Sequence, residues 1–318
     1  MTASDSKSGW IPASLKMAEG IRRRVMKHTI MNNGGYLSQA CSAGEILATL
    51  YLKIMQLGPS TAPELPPPFP GVPGTPGITP LQGGSYNGHH PSLYDRFYLS
   101  PAHYALVLYT ALIEAGRMTE KGLEQFNRDG STVEMIGAEH SPGFDMMGGA
   151  LAQTLSQAAG VAMARKMKKL PGTVWVFLSD GELQEGQIWE ALQVMTHYRL
   201  DNMGVVIDIN GQQCDGLMSA VMTTEPIDRK LEAFGARAVR VDGHDPAALE
   251  EASRPAGDGK PLFILAYTDP CHRMPLLEKR RPGLHYVRFT SAAEREEYRQ
   301  YYNSHMNDHI REDFTDGN

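Results

Sequence analysis

Two oxygen-bearing side chains each follow a predicted strand, and the two strands are near each other in the sequence. Asp180 comes after the apolar run 174–178, and Asn210 comes after the second apolar run, 205–209. The two residues are 30 positions apart (210 − 180), and an amphipathic helical pattern lies between them. Short apolar runs of this kind are typical of buried parallel strands. The segment is therefore predicted to be a βαβ unit that brings both side chains to one edge of a sheet, where open α/β folds bind ligands.

The chemistry that these residue types favour is coordination of Mg²⁺. A carboxylate and an amide oxygen are hard donors, and they complete an octahedral shell with one backbone carbonyl and two diphosphate oxygens. Gly181 lacks a Cβ, so its backbone N–H can approach a phosphate closely. The alternative is that Asp180 caps a helix and Asn210 lies in an ordinary turn. For these residues alone the alternative is favoured, because short motifs often match by chance.

The residues around this pair resemble those of the thiamine-diphosphate enzymes, and of transketolases in particular. The fingerprint of the larger group is Gly-Asp-Gly followed at this spacing by Asn, and Ser179 replaces the first glycine here. Residues 182–186 (ELQEG), 189–191 (WEA) and 210–216 (NGQQCDG) are similar to transketolases rather than to other members of that group. The resemblance extends over about residues 12–290.

The resemblance implies an α/β fold with a mostly parallel sheet flanked by helices, like the diphosphate-binding, amino-terminal domain of transketolases. The whole chain, 1–318, is then one thiamine-diphosphate-binding domain. Nine of its 21 prolines lie in 59–80, so an insertion without helices or inner strands is predicted at about 58–92. A charged, helical tail is predicted at about 291–318.

The resemblance also implies which residues bind the cofactor and the metal. The residues expected to bind thiamine diphosphate are His103, Gly149, Leu151, Asp180, Gly181, Glu182, Asn210 and His285. The metal is Mg²⁺, or Ca²⁺ or Mn²⁺ in its place, and its expected ligands are Asp180, Asn210 and the backbone carbonyl of Gln212. The expected catalytic residues are His103, His285 and Glu185. His272 is the rival of His285 for the place over the cofactor.

Two substrate-facing motifs of transketolases are absent. Where the first Gly-His-Pro is expected, the chain reads Gly35-Tyr36-Leu37, and where the second is expected, residues 135–137 read MIG. Glu139 and His140 are polar residues near the second position, and they could equally be ordinary loop residues. The resemblance therefore implies a sugar or sugar-phosphate substrate without identifying it.

The reaction that the resemblance implies is transfer of a two-carbon ketol unit from a ketose donor to an aldehyde acceptor. In transketolases a second domain carries the glutamate that hydrogen-bonds the aminopyrimidine, and no second βαβ array is recognised in this sequence. The chain is therefore expected to be one subunit of a split enzyme, with a pyrimidine-binding partner in an A2B2 heterotetramer. One alternative is the α subunit of a 2-oxo acid dehydrogenase, against which 182–186 and 242–245 argue. The other is a non-catalytic subunit that binds thiamine diphosphate.

Composition and charge argue against several classes of protein. The formal net charge is −6, so we expect no nucleic-acid partner. No apolar run has the length of a membrane span, and the polar residues 1–9 lack the apolar segment of a secretory signal. The three cysteines are scattered, without metal-ligand spacing, which favours a reducing, cytoplasmic setting.

Overall fold

A five-stranded parallel sheet forms the centre of the protein, whose computed structural model describes residues 9–72, 74–88 and 93–306. The strands found there are β1 (Arg96–Leu99), β2 (Val174–Ser179), β3 (Met203–Ile209), β4 (Gln212–Gln213), β5 (Gly216–Leu217), β6 (Arg237–Asp242) and β7 (Leu262–Tyr267). The sheet order is β1-β2-β3-β7-β6, and β4 and β5 form a separate antiparallel pair. The predicted parallel α/β fold is confirmed.

Helices cover both faces of this sheet. They are α1 (Trp10–Asn32), α2 (Leu37–Thr49), α3 (Ala105–Glu114), α4 (Glu120–Leu123), α5 (Gln153–Met167), α6 (Gly186–His197), α7 (Met218–Val221), α8 (Ile227–Ala233), α9 (Pro246–Ala252), α10 (Pro275–Glu278) and α11 (Ala292–His305). Side chains alternate along each strand. Phe97 and Phe177 therefore pack in one core with α1, α2 and α3, whereas Tyr98 and Val176 pack in the other with α5 and α6.

The predicted βαβ unit is present as β2, α6 and β3. The two strands pair in parallel, with Ser179 opposite Asp208. Both strands are buried along their whole length, which explains their nearly continuous apolar sequences. Asp180 and Asn210 therefore follow neighbouring strands at the carboxyl edge of the sheet.

The proline-rich segment lies against the rest of the chain. The Phe69 N–H donates to the Gly130 carbonyl at 2.8 Å, and the Gly83 N–H donates to the Glu139 carbonyl at 2.7 Å. The regular structure in the described part of this segment is a short 3₁₀ turn, Gly83–Asn87, as expected where prolines remove backbone donors. Residues 73 and 89–92 lie outside the described residues. The assignment of the whole chain to one domain stays a prediction.

The predicted carboxyl-terminal helix is α11. Ser291 caps it, because its hydroxyl oxygen accepts the Glu294 N–H at 3.1 Å. The rest of the predicted tail, 307–318, and the polar start, 1–8, lie outside the described residues. None of the described helices combines the length and the hydropathy that a membrane span requires.

A buried ion cluster joins α2 to the loops that follow β6 and β7. The Glu45 carboxylate is fully buried, lies 2.8 Å from the Arg22 guanidinium and lies 3.1 Å from His244 Nδ1. The Asp269 N–H donates to His244 Nε2 at 2.9 Å, so Nδ1 carries the proton that is donated to Glu45. Burial acts to raise the pKa of Glu45, but the His244 hydrogen bond and the Arg22 charge outweigh it, and the pKa falls to about 2.

We expect Glu45→Gln to lower the free energy of unfolding by about 3 kcal/mol at neutral pH, because it leaves the buried Arg22 cation without a counter-charge. The folded-state pKa of Glu45 lies below its unfolded value of about 4.3. Its ionised form therefore stabilises the fold above this unfolded value, and the contribution is lost as the pH falls toward about 2. Urea unfolding of wild type and variant across this range should show the gap between them narrowing with falling pH.

The matched control for this measurement is Glu190→Gln, an exposed position on α6. This variant should follow the wild type at every pH. If the difference between wild type and Glu45→Gln stays constant as the solution is acidified, the ionised Glu45 is not the source of the stabilisation.

Candidate active site

The ends of β2 and β3 bring together the two residues of the sequence motif. Asp180 is 2% exposed, and its Oδ2 accepts the Gly211 N–H at 2.9 Å. Oδ1 of Asn210 accepts the Gln212 N–H at 2.9 Å. Burial, and then the charge of Asp208, raise the pKa of Asp180 to about 7. A buried carboxyl group beside a second carboxylate lacks a cation, and a metal ion would supply it.

Asp208 lies at the centre of a buried hydrogen-bond network under this edge, although the sequence motifs do not include it. Its carboxylate accepts hydrogen bonds from the hydroxyls of Ser42 at 2.6 Å, Tyr104 at 2.7 Å and Thr268. The Asn210 amide also donates, at 3.3 Å to Asp208 and at 3.1 Å to the Tyr104 oxygen. These two acceptors hold the amide nitrogen of Asn210 on the side of Asp208, and Oδ1 therefore lies on the other side of the amide group. An aspartate inside the apolar run 205–209 is the signal that identifies it.

The loop before α5 carries two predicted cofactor residues, Gly149 and Leu151, and both are exposed. No backbone hydrogen bond to another described residue uses the N–H groups of 149–151. Ala152 follows with a φ of 69°, in the left-handed region, and α5 begins at the next residue. Free N–H groups beside the start of a helix are available to bind anionic oxygens.

Glu182 is fully buried behind this loop, and its carboxylate accepts four hydrogen bonds from the protein. Oε1 accepts the Ala152 N–H at 2.8 Å and the Ser100 hydroxyl. Oε2 accepts the Ser179 N–H at 2.9 Å and its hydroxyl at 3.2 Å. Burial raises the pKa of Glu182, and the four donors act in the opposite direction. A direct contact between Glu182 and the cofactor stays a prediction. In the structure, Glu182 is linked to the loop residues 149–151 through the Ala152 backbone, which follows them.

Two predicted catalytic histidines lie side by side. The ring centroids of His103 and His285 are 4.9 Å apart, and the Tyr36 ring lies 6.0 Å from the first and 5.8 Å from the second. The rival histidine, His272, is stacked on His244 at 3.7 Å, in the buried ion cluster. The structure thus brings His285 to His103 and leaves His272 elsewhere.

Burial favours the neutral form of both histidines in this pair. Burial, and then the neighbouring His285, lower the pKa of His103 to about 3. Burial also lowers the pKa of His285. A neutral imidazole has one N–H donor and one acceptor nitrogen. The pair can therefore both donate to and accept from the hydroxyl groups of a bound sugar.

A segment far along the chain brings His285 to this position. Gly35 and Val287 form an antiparallel bridge, with backbone hydrogen bonds of 3.0 Å in both directions. The Ser38 hydroxyl donates to the Leu284 carbonyl at 2.8 Å, and the Gln39 amide donates to the His285 carbonyl at 2.9 Å. The start of α2 therefore holds both Tyr36 and His285 at the site. The sequence contains no local signal for this pairing.

The surface around the loop that precedes α5, residues 147–152, is apolar. Ile136, Met147 and Leu151 are 54%, 59% and 43% exposed. A Cβ added at Gly149 would lie 3.1 Å from Ile136 and 3.9 Å from Met147, so these side chains surround the loop. Glu185, the third predicted catalytic residue, is exposed just before α6. Exposed apolar groups beside a polar site are typical of a surface that contacts another chain.

Comparison with known proteins identifies the family that has this arrangement. A family profile described as "Transketolase, thiamine diphosphate binding domain" matches residues 86–269, more than half of the chain. A Sinorhizobium fredii protein named as a transketolase family protein is 34% identical over 275 residues, which are 85% of this chain and 88% of that protein. The chain belongs to the transketolase family.

Solved transketolases have the same fold as this chain. The crystal structure of the Campylobacter jejuni enzyme matches with a TM-score of 0.71 at 19% identity, over 93% of this chain and 44% of that one. A subunit of the 6-deoxy-6-sulfo-D-fructose transketolase of Clostridium sp. (strain MSTE9) is 32% identical, over 79% of this chain and 82% of that subunit. Human transketolase is 31% identical, but only 36% of its length is covered. This transketolase chain therefore has the length of relatives that are named as subunits.

The chain carries the thiamine-diphosphate-binding domain of the transketolases. It belongs with the subunits of transketolase-type transferases, enzymes that move a two-carbon ketol unit from a ketose to an aldehyde. The predicted family and reaction type are confirmed.

The residues of this transketolase domain fit thiamine diphosphate. A Cβ at Gly181 would meet no atom within 4 Å, so the space beside its backbone is open. The buried side-chain oxygen and nitrogen of Gln212 have no hydrogen-bond partner among the described residues. Together with the oxygens of Asp180 and Asn210, these groups suit a charged diphosphate and its counter-ion.

Proposed function

We propose that this chain is the diphosphate-binding subunit of a split transketolase and works with a separate pyrimidine-binding subunit. The observation that carries the proposal is the position of Asp180 and Asn210 at adjacent strand ends, in a chain as long as relatives named as subunits. A subunit of an apulose-4-phosphate transketolase from Actinobacillus succinogenes is a further relative of this length, 29% identical over 83% of its chain. The test is ketol transfer by the purified chain with and without its partner.

The metal ligands in this proposal are Asp180, Asn210 and the backbone carbonyl of Gln212. Carboxylate, amide and carbonyl oxygens are the donors that Mg²⁺ prefers, and Ca²⁺ or Mn²⁺ can take its place. Asp208 assists by holding the Asn210 amide in one orientation. The ion would neutralise the diphosphate and the buried carboxyl of Asp180 together.

The cofactor residues in this proposal surround the same edge. The backbone N–H groups of Gly149, Leu151 and Gly181 would bind the diphosphate, and Glu182 would support the loop by accepting the Ala152 N–H. Thiamine diphosphate, when bound, supplies the carbanion chemistry that no protein side chain offers. This chain would bind and orient the cofactor, and the partner subunit would complete its shielding from water.

The catalytic residues in this proposal act on the sugar. His103 and His285 are neutral, so one of them can accept a proton from the ketol hydroxyl while the other donates a hydrogen bond. Glu185 lies on the exposed face where the partner would contact the aminopyrimidine. The geometry that supports these roles is the 4.9 Å contact between the two rings.

The assembly in this proposal is an A2B2 heterotetramer, in which a twofold axis relates two copies of each subunit, because twofold symmetry is the commonest arrangement of identical chains. We place the protein in the cytoplasm, because Cys41, Cys214 and Cys271 are all free thiols, as is usual in a reducing compartment. We expect neither a nucleic-acid nor a membrane partner.

Tyr36 is proposed to set the substrate range, because it stands where a substrate-facing histidine is expected and contacts both catalytic histidines. We expect the ratio of kcat/KM for xylulose 5-phosphate, variant over wild type, to be on the order of ten for Tyr36→His, since a phenol and an imidazole differ in size and in acceptor geometry. Steady-state assays of the reconstituted enzyme, with ribose 5-phosphate as acceptor, measure this ratio.

The control for this prediction is Tyr198→His, at an exposed tyrosine just after α6. It should leave kcat/KM unchanged. An unaltered kcat/KM in Tyr36→His, or efficient use of both pentose phosphates by the wild type, would show that Tyr36 does not restrict the substrate range.

A further inference from the structure

The loop 147–152 ends at Ala152 in a backbone conformation that is unfavourable unless other contacts stabilise it. Ala152 has φ 69° and ψ −15°, and this left-handed region is unfavourable for a residue with a Cβ. Ala152 is fully buried, and it joins the exposed residues 149–151 to α5. Whatever stabilises Ala152 therefore also determines where the loop lies.

The group that contacts Ala152 is the carboxylate of Glu182. Its Oε1 accepts the Ala152 N–H at 2.8 Å and the Ser100 hydroxyl, while Oε2 accepts the two donors of Ser179. Ser100 follows β1 and Ser179 ends β2. One buried side chain thus joins the ends of two adjacent strands to the loop that begins α5.

Only a carboxylate satisfies this set of partners. It offers two oxygens that each accept two hydrogen bonds and has no donor of its own. In either orientation, a glutamine of the same shape would place its NH₂ group against a backbone N–H, that of Ala152 or that of Ser179, whereas the serine hydroxyl beside it can rotate to accept. A buried donor facing another donor loses its hydrogen bond and remains desolvated. The site therefore discriminates between glutamate and glutamine.

We infer that Glu182 is a positioning residue, which holds the loop 147–152 in the conformation that binds the diphosphate. It acts through the Ala152 backbone, because the four hydrogen bonds of its buried carboxylate are all made with the protein. The inference rests on the proposed function for the identity of the ligand. The loop geometry itself is a property of the chain without ligand.

The first test compares Glu182→Gln with wild type in two measurements. Hydrogen exchange of the peptide containing Ala152, in the chain without cofactor, should be about tenfold faster in the variant. The Kd for thiamine diphosphate with Mg²⁺ should rise by about tenfold. Both changes are the effect of losing one charge-assisted hydrogen bond. Glu190→Gln, on the exposed face of α6, is the control and should match wild type.

The second test is rescue by a change at Ala152. Glycine adopts a positive φ without strain, so Ala152→Gly in the Glu182→Gln background should recover part of the lost affinity. A merely structural defect elsewhere would not respond to this substitution. If Glu182→Gln does not fold, Ser100→Ala removes one donor while keeping the carboxylate, and a smaller change in the same direction is expected.

Three results would overturn the inference. They are unchanged exchange at Ala152, faster exchange with an unchanged Kd, and absence of rescue by Ala152→Gly. If the wild type binds no thiamine diphosphate, the proposed function fails, but the exchange measurement still decides whether Glu182 holds the loop.

Discussion

Replacing Asp180 by alanine is expected to abolish the stabilisation of this chain by thiamine diphosphate and Mg²⁺. Asp180 is the anionic ligand in the proposed metal site, and without it the neutral oxygens of Asn210 and Gln212 bind the ion weakly. In the wild type, ligand at one hundred times its Kd raises the free energy of unfolding by about 2.7 kcal/mol. In the variant we expect no measurable increase. Thermal unfolding with and without both ligands measures the difference.

Further variants separate the charge of Asp180 from its shape. Asp180→Asn keeps an oxygen donor and loses the charge, so an intermediate stabilisation is expected. Asp258→Ala, in an exposed loop, should retain the full effect. Without ligands, Asp180→Ala should be at least as stable as wild type, because a buried carboxyl beside Asp208 costs free energy when no cation is present. Equal stabilisation of wild type and Asp180→Ala would remove Asp180 from the metal site.

The central part of the site could be predicted from the sequence because the residues that position it are close together along the chain. Two apolar runs joined by a helical pattern fix a βαβ unit, and parallel strands then bring Asp180 and Asn210 to one edge. The loop at Gly149 and the histidine at His103 are similarly tied to adjacent motifs. The resemblance to transketolases added the cofactor, and the comparisons confirm that family.

The remaining features depend on contacts that no local pattern reveals. His285 reaches His103 because the start of α2 pairs with a segment 246 positions away, as the Ser38 bond to Leu284 shows. The sequence favoured His285 but left His272 as its rival. Glu182 forms a capping box with Ser179, which is a local pattern, but its hydrogen bonds with Ser100 and Ala152 join distant parts of the chain. Asp208 is visible in the sequence only as a charge inside an apolar strand.

The second large effect that we expect is the dependence of turnover on another subunit. The site is open on the side where Leu151 and Glu185 are exposed, and Ile136 and Met147 add apolar surface beside it. In the proposed assembly a partner covers this surface with an interface of roughly 2,000 Å² or more. It also contributes the glutamate that faces the aminopyrimidine. Without the partner the cofactor would stay exposed to water and lack that contact.

A charged substitution in this surface should weaken assembly before it affects cofactor chemistry. Met147→Glu would place a carboxylate in the proposed interface, where an unpaired charge is costly. We expect subunit affinity to fall by at least tenfold, with kcat unchanged at saturating partner. Met167→Glu, at an exposed methionine on α5, is the control. Analytical ultracentrifugation with titration of the partner separates the two effects.

Ketol transfer by the purified chain, assayed alone and after addition of the pyrimidine-binding subunit, is the most direct test of the split-enzyme proposal. The partner is the polypeptide that copurifies with the chain from its native cell, identified by mass spectrometry. We predict no turnover by either polypeptide alone and activity that saturates at an equal ratio of the two. Sustained activity of the chain alone, with the partner shown by mass spectrometry to be absent, would contradict the proposal.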